Sequence, residues 1–280
     1  MNKMVQLGAC TWTFGPLPLA DIAQRLAALS YDGVELMGDL AAYADGEGGG
    51  LATGRVLADN GLKVFSLTPD NVDLAHPDAV MRGQAVDYYL QLLDFAAELG
   101  KPLVSCHGFV GRVRPLTSQA EERQLLLEAV GQIADRAKSH DLRLIFEVLN
   151  RYESHLVNTG QEALAFIDDL ARNNMGVLLD AYHMNIEEAD PAGAIRQVGS
   201  KLWLYHAADS NRGAVGRGHT DFGEQLRALQ DIGYQGPIIL ECTAPGPDPF
   251  SAIKDEGSLA WLETYLRESR DFFLGELRRE

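Results

Sequence analysis

The chain has 280 residues and 46% hydrophobic content, enough to bury a sizeable core, and residues 1–280 are expected to form one domain because α/β barrels of roughly 250 residues routinely do. Its 24 Lys and Arg against 40 Asp and Glu leave a formal charge of −16, which repels polyanions and argues against a nucleic-acid partner. A neutral, polar small molecule is the easier ligand. No apolar stretch approaches the ~20 residues of a membrane span, and Met1–Ala9 has no basic segment leading into an apolar run, so a cytoplasmic protein without a membrane partner is expected. The three cysteines, Cys10, Cys106 and Cys242, lack metal-ligand spacing and read as buried reduced thiols.

In chain order, eight short apolar runs have the length of buried parallel strands: Val5–Ala9, Gly33–Leu36, Lys63–Leu67, Leu103–Cys106, Leu142–Phe146, Gly176–Leu179, Leu202–Tyr205 and Ile238–Leu240. Between them lie amphipathic segments. In Val80–Leu99 and Glu121–His140, apolar residues return every three or four positions, as on a helix with one face toward a core. Alternating strand and helix implies parallel strands with right-handed crossovers. Ser30-Tyr31-Asp32-Gly33 before the second strand is echoed by Ile232-Gly233-Tyr234-Gln235-Gly236 before the eighth, each a helix end turning into a strand. No Gly-rich nucleotide fingerprint follows the first strand, and eight strands favour a closed (β/α)8 TIM barrel over an open doubly wound sheet. The loops Asp45–Gly50 and Thr243–Pro249 follow strands and are candidate lids or rims of a pocket.

Each of the last four strands ends in a metal-competent residue: Glu147, Asp180, His206 and Glu241. One polar residue at a strand end is ordinary. Four in succession converge on the C-terminal face of a barrel, where catalytic groups are found. Three carboxylates and one imidazole form a hard donor set for one divalent metal ion, with Mn²⁺ first, then Mg²⁺, and with Co²⁺, Fe²⁺ and Zn²⁺ as alternatives. Other polar residues follow the same strands. His183, three positions after Asp180, can face the cavity or bond to backbone. Arg212 can stabilise an oxyanion there or lie on the surface, and Glu153 can reach the pocket or pair with Arg151. In Gly216–Phe222, Asp221 reads as a helix cap, whereas His219 fits either a turn or the pocket. At the fourth strand His107 is a candidate substrate contact, and Trp12 and Phe14 after the first are candidates for an apolar wall.

The run Glu147-Val148-Leu149-Asn150-Arg151-Tyr152-Glu153, followed by Leu179-Asp180-Ala181-Tyr182-His183-Met184-Asn185-Ile186-Glu187-Glu188, resembles the ketose 3-epimerases of the xylose isomerase-like barrel superfamily, the group acting on D-tagatose, D-psicose and L-ribulose. The likeness continues through His206, Asn211-Arg212 and Gly233-Tyr234 to Glu241 and is dense over Leu142–Glu241. It implies that Glu147, Asp180, His206 and Glu241 bind the metal. It also implies that Glu147 and Glu241 form an acid/base pair at C3 of a ketose, and that Glu153, His183 and Arg212 hold the substrate near O1 and O2. The expected chemistry is inversion through a cis-enediolate, without a redox cofactor, on a small-molecule sugar. The family often has Pro-Phe and a basic glycine-rich stretch after its last glutamate. Here Cys242-Thr243-Ala244-Pro245-Gly246-Pro247-Asp248-Pro249-Phe250 follows, so the sequence leaves the sugar and its phosphorylation open.

Related barrels supply the alternatives: aldose–ketose isomerases, inosose dehydratases and 3-keto-glycoside lyases. An endonuclease IV-like repair enzyme needs three zinc ions, and the third strand here ends Ser66-Leu67-Thr68-Pro69 without a histidine. A non-catalytic sugar-binding barrel has no need of two opposed glutamates. A homo-oligomer stays open.

Overall fold

The computed structural model describes residues 5–44 and 49–276. Eight parallel strands close into a barrel in sequence order: β1 Leu7–Cys10, β2 Gly33–Met37, β3 Lys63–Thr68, β4 Leu103–His107, β5 Leu144–Glu147, β6 Met175–Asp180, β7 Leu202–Ala207 and β8 Ile238–Leu240. β1 pairs with β8, which completes the closed (β/α)8 architecture expected from the eight apolar runs. Around it lie α1 Leu19–Ala28, α2 Leu40–Ala44, α3 Gly49–Asp59, α4 Ala79–Glu98, α5 Gln119–Ser139, α6 Gly160–Leu170, α7 Ala181–Glu187, α8 Pro191–Val198, α9 Phe222–Asp231 and α10 Ser258–Glu276. Most of the expected loop Asp45–Gly50 lies outside the described residues; Gly49 and Gly50 open α3.

The helices begin where side chains satisfy otherwise orphaned N–H groups. Asp78 caps α4, Ser118 caps α5, Asp190 caps α8, and Thr159 with Glu162 forms a capping box on α6. Asp221 caps α9, as its position in the sequence indicates. The helix ends repeat one device. The N–H of Tyr31 reaches the carbonyl of Leu26 past Ser30 at φ 59°, and that of Tyr234 reaches Leu229 past Gly233 at φ 65°. The same bond closes α3 (Leu62 to Leu57), α4 (Lys101 to Ala96) and α5 (Leu142 to Ala137). Each is a left-handed C-terminal cap that turns the chain back toward the barrel floor.

The core has two compartments. Most buried apolar side chains lie between strands and helices, and Phe14 is fully buried there, so it forms no wall of the pocket. A smaller set inside the barrel comprises Cys10, Leu103, Ile145, Leu178, Leu204 and Ile239, with Trp12, Phe65 and Trp203 against it. Two aromatic rings plug the floor because the neighbouring strands carry glycine. A Cβ on Gly176 would lie 2.2 Å from the Trp203 ring, and one on Gly33 would lie 2.6 Å from Phe65. Bulges in the pairing of β2 with β3 and of β6 with β7 accommodate these residues.

This interior layer places the functional face. Side chains two positions apart on a strand share a face, so the residues after Ile145, Leu178, Leu204 and Ile239 in that period are Glu147, Asp180, His206 and Glu241. Apolar filling below thus becomes a polar ring above. Outside the ring, Arg112 bonds Asp73 and Glu122 together, and the buried Glu122 carboxylate also accepts the N–H groups of Leu116 and Thr117. That knot ties the segments after β3 and β4 to α5. No helix among the described residues is long and apolar enough to cross a membrane.

Candidate active site

A cavity of about 240 Å³ opens at the C-terminal end of the strands and is lined by Glu147, Glu153, His183, Arg212, Glu241 and His107, all candidates from the sequence. Trp12, Met37, Thr68, Asn71, Leu149 and Phe250 complete much of its wall. Asp180 and His206 lie beneath it, fully buried. His206 Nδ1 is 3.7 Å from Glu147 Oε1 and 3.6 Å from Glu241 Oε2, so one ring nitrogen faces both glutamates.

Local structure fixes each of these groups. Asp180 ends β6 and caps α7: its Oδ1 accepts the Tyr182 N–H at 2.7 Å, which leaves Oδ2 directed into the cluster. Asp180 Oδ2 and His206 Nδ1 are both buried without a hydrogen-bond partner. Orphaned buried polar atoms are costly, and two of them among carboxylates mark a place for a bound group. Oxygen and nitrogen atoms of Asp180, His206 and Glu241 fall within 4.8 Å of one another, as do those of Glu147, Asp180 and His183. Burial, with repulsion from Glu241, pushes Asp180 up to about 7. Burial likewise holds Glu147 well above the usual carboxylate range. Burial acts the same way on Glu241, but the Arg212 guanidinium and His206 overcome it and hold that carboxyl well below its usual range. Such a cluster carries its full negative charge only when cations compensate it.

Arg212 supplies one such compensation. Its guanidinium donates to Glu241, lies 3.7 Å from Asp180 Oδ2, and stacks 4.4 Å from the Tyr182 ring centre. It is 4% exposed, which removes the surface reading of this arginine. Trp12 does more than line the wall, since its indole N–H donates to Glu241 Oε1 at 2.9 Å.

The two cavity histidines are prepared alike. The Asn150 N–H donates to His183 Nδ1 at 3.2 Å and the Phe109 N–H to His107 Nδ1 at 3.3 Å. A nitrogen that accepts a backbone N–H carries no proton, so each neutral ring presents Nε2–H. Burial keeps both neutral: His107 is lowered to about 4, and His183 well below its ordinary value with help from Arg212. Glu153 does not pair with Arg151. That arginine holds Glu187, while Asn150 Nδ2 donates to Glu153 Oε1 at 2.7 Å and turns it to the cavity. His219 bonds Ser210 and lines a separate surface depression with Thr220 and Asp221, away from the cavity. Of the expected rim Thr243–Pro249, Thr243 and Ala244 are buried, and Phe250 just beyond reaches the cavity.

Sequence reasoning missed Glu35. Its carboxylate is fully buried inside the barrel, where it meets His206 Nε2. The available signal was a charge in the middle of the apolar run Gly33-Val34-Glu35-Leu36-Met37. Asn71, Thr68 and Met37 were missed as wall residues because nothing in their local sequence sets them apart.

A parallel barrel with carboxylates and histidine at its C-terminal mouth has known relatives. The family model for the xylose isomerase-like TIM barrel matches residues 23–271, and the chain belongs to that family. Its curated relatives include sugar epimerases. A D-psicose 3-epimerase of Agrobacterium fabrum is 34% identical over 236 residues, covering 81% of this chain and 78% of that protein. A ketose 3-epimerase of Arthrobacter globiformis is 45% identical over 113 residues, a match that spans 40% of this chain and only 39% of the relative. The crystal structure of D-psicose 3-epimerase with D-tagatose from Clostridium cellulolyticum H10 superposes with a TM-score of 0.86 at 25% identity, covering 97% of this chain and 99% of that one.

Proposed function

We propose that this protein is a divalent-metal-dependent ketose 3-epimerase acting on a free ketose. Glu147, Asp180, His206 and Glu241 would hold the ion, and Glu147 and Glu241 would move the proton at C3. The observation that carries this reading is the pair of orphaned atoms, Asp180 Oδ2 and His206 Nδ1, set between two glutamates that face the same ring nitrogen. Three carboxylates and an imidazole suit Mn²⁺ or Mg²⁺. The bound cation would make the C3 proton acidic by stabilising the negative charge of the enediolate.

The protein's own groups account for the remaining steps. One glutamate breaks the C3–H bond on its side of the sugar and takes the proton. Its counterpart delivers a proton to the opposite side of C3, so the centre inverts and no electrons leave the substrate. His183 Nε2–H, Arg212 and Glu153, which line the cavity, would hold the oxygens at the C1–C2 end, and His107 Nε2–H would contact the sugar from β4. Among the described residues lining the cavity Arg212 is the single Lys or Arg, and it is engaged by Glu241, which favours an unphosphorylated sugar. Trp12 and Met37 add an apolar surface, as expected of an uncharged ligand.

Turnover of a ketose panel with Mn²⁺ in D₂O tests the reading. Deuterium should appear at C3 of the epimerised product. Label confined to C1 would convert the assignment to an aldose–ketose isomerase, and release of a fragment would make it a lyase. Stripping the metal should abolish turnover and lower the melting temperature, since a ligand bound only by the folded state stabilises that state. Chelator-insensitive turnover by protein without stoichiometric metal would overturn it.

A further inference from the structure

The buried carboxylate of Glu35 takes no part in the steps above, yet it touches the candidate metal histidine directly. It projects from β2 inside the barrel and is 0% exposed. Its Oε1 and Oε2 lie 3.1 and 3.2 Å from His206 Nε2. Ser66 Oγ donates to Oε2 at 2.6 Å and Cys10 Sγ to Oε1 at 3.2 Å. A carboxylate surrounded by three donors accepts from all of them when His206 Nε2 carries a proton. With that proton on Nε2, the unpartnered Nδ1 of the neutral ring has its lone pair free, and it faces Glu147 and Glu241.

We infer that Glu35 is a positioning residue that selects the Nε2–H form of His206 and so presents Nδ1 to the metal, with Ser66 and Cys10 holding Glu35 in place. Imidazole ligands commonly owe their orientation and basicity to such a hydrogen-bonded carboxylate, and loss of that partner costs about 10- to 100-fold in metal affinity. The bulge between Val34 and Glu35 is the local cause. It shifts the register so that Glu35 lies opposite Ser66, which donates to it. The assignment extends the proposed metal site and rests on His206 being a ligand.

The test measures Mn²⁺ dissociation constants, by competition with a chelating dye, for the full-length protein and for Glu35→Gln, Glu35→Leu and His206→Ala. The melting temperature of each metal-free form is recorded alongside. Gln keeps the size and one accepting oxygen, so Glu35→Gln should weaken Mn²⁺ binding about 10-fold; Leu keeps neither acceptor and should weaken it about 100-fold. Affinities within twofold of wild type in both variants, with His206→Ala weakened, would overturn the role of Glu35 alone. A lower melting temperature at unchanged Mn²⁺ affinity would also overturn it, because that result makes Glu35 a structural residue. Should Glu35→Leu fail to fold, the Gln variant decides the question. Absence of Mn²⁺ binding by wild type, or full affinity in His206→Ala, would overturn the underlying metal site instead.

Discussion

The two halves of the barrel present different chemistry at equivalent places. Glu147 and Asp180 end β5 and β6, His206 is the last residue but one of β7, and Glu241 directly follows β8, whereas the ends of β1 to β4 and the turns after them contribute Trp12, Met37, Thr68 and His107 to the same cavity. The second half gathers charge; the first half supplies shape and a few uncharged donors. Two first-half residues reach the second half directly: Glu35 meets His206 across the barrel, and Trp12 donates to Glu241 on the neighbouring strand end. Under the proposed function the proton-moving glutamates lie in the second half alone, so the contrast predicts that changes at first-half contacts alter the choice of sugar and leave the reaction running.

The strongest attack on that division is at the proposed proton carriers. Glu147→Gln and Glu241→Gln should each lower kcat by at least the ~100- to 10,000-fold typical of a lost acid or base, measured with metal content determined in parallel. Normal epimerisation by both metal-loaded variants would remove the second half from the chemistry. Next come the groups beside them: His183→Ala and Arg212→Ala should each cost about 100- to 1,000-fold in turnover while Mn²⁺ stoichiometry is kept, as for loss of a preorganised donor in a closed site. Metal loss in either variant would make that residue part of the ion's support.

A first-half substitution should behave differently. His107→Ala should raise KM about 10-fold and change the ranking of sugars, with kcat altered by less than about threefold, the size expected of a lost contact shared by ground and transition states. A collapse of kcat at unchanged KM would erase the proposed separation. The smallest effect concerns the scaffold of the first half. Burial alone would raise Glu122, but the N–H of Thr117, the Arg112 guanidinium and the Leu116 N–H hold its carboxyl below the ordinary value. Because the folded form has the lower pKa, its contribution is present above the unfolded carboxylate pKa and is lost as pH falls through the folded one. Glu122→Gln should therefore unfold more easily than wild type at neutral pH, and the two denaturation midpoints should converge in acid. A constant gap across that range would assign the stabilisation to packing.

Much of this was legible in the sequence because the barrel is a periodic object. Buried parallel strands read as apolar runs, and β8 coincides with its expected range Ile238–Leu240. The polar residue ending each late strand stood out against the run before it, which brought Glu147, Asp180, His206 and Glu241 into view together. Other features were hidden for physical reasons. Glu35 acts within a strand, where its partners are 25, 31 and 171 positions distant and no local spacing records them. Phe14 and Trp12 are neighbours of similar chemistry, and only the path of the short 3-10 turn Thr11–Phe14 sends one to the core and the other to the cavity. The repeated helix ending was visible at Gly233, where glycine marks the left-handed position, and concealed at Asp141, since a non-glycine residue at φ 58° is written with no distinctive letter.

The bond from Trp12 to Glu241 also gives the protein a native optical probe. Indole emission responds to hydrogen bonding and to nearby charge, and this ring N–H is held at 2.9 Å by a carboxylate of the cavity. The other two tryptophans stand elsewhere: Trp203 fills the barrel floor, and Trp261 lies on α10 with 44% of its surface exposed. One of three fluorophores therefore sits where the ion and the sugar are proposed to arrive, and the other two serve as an internal reference. Occupancy of the cavity becomes readable as a change in colour and intensity, in solution and without an attached dye.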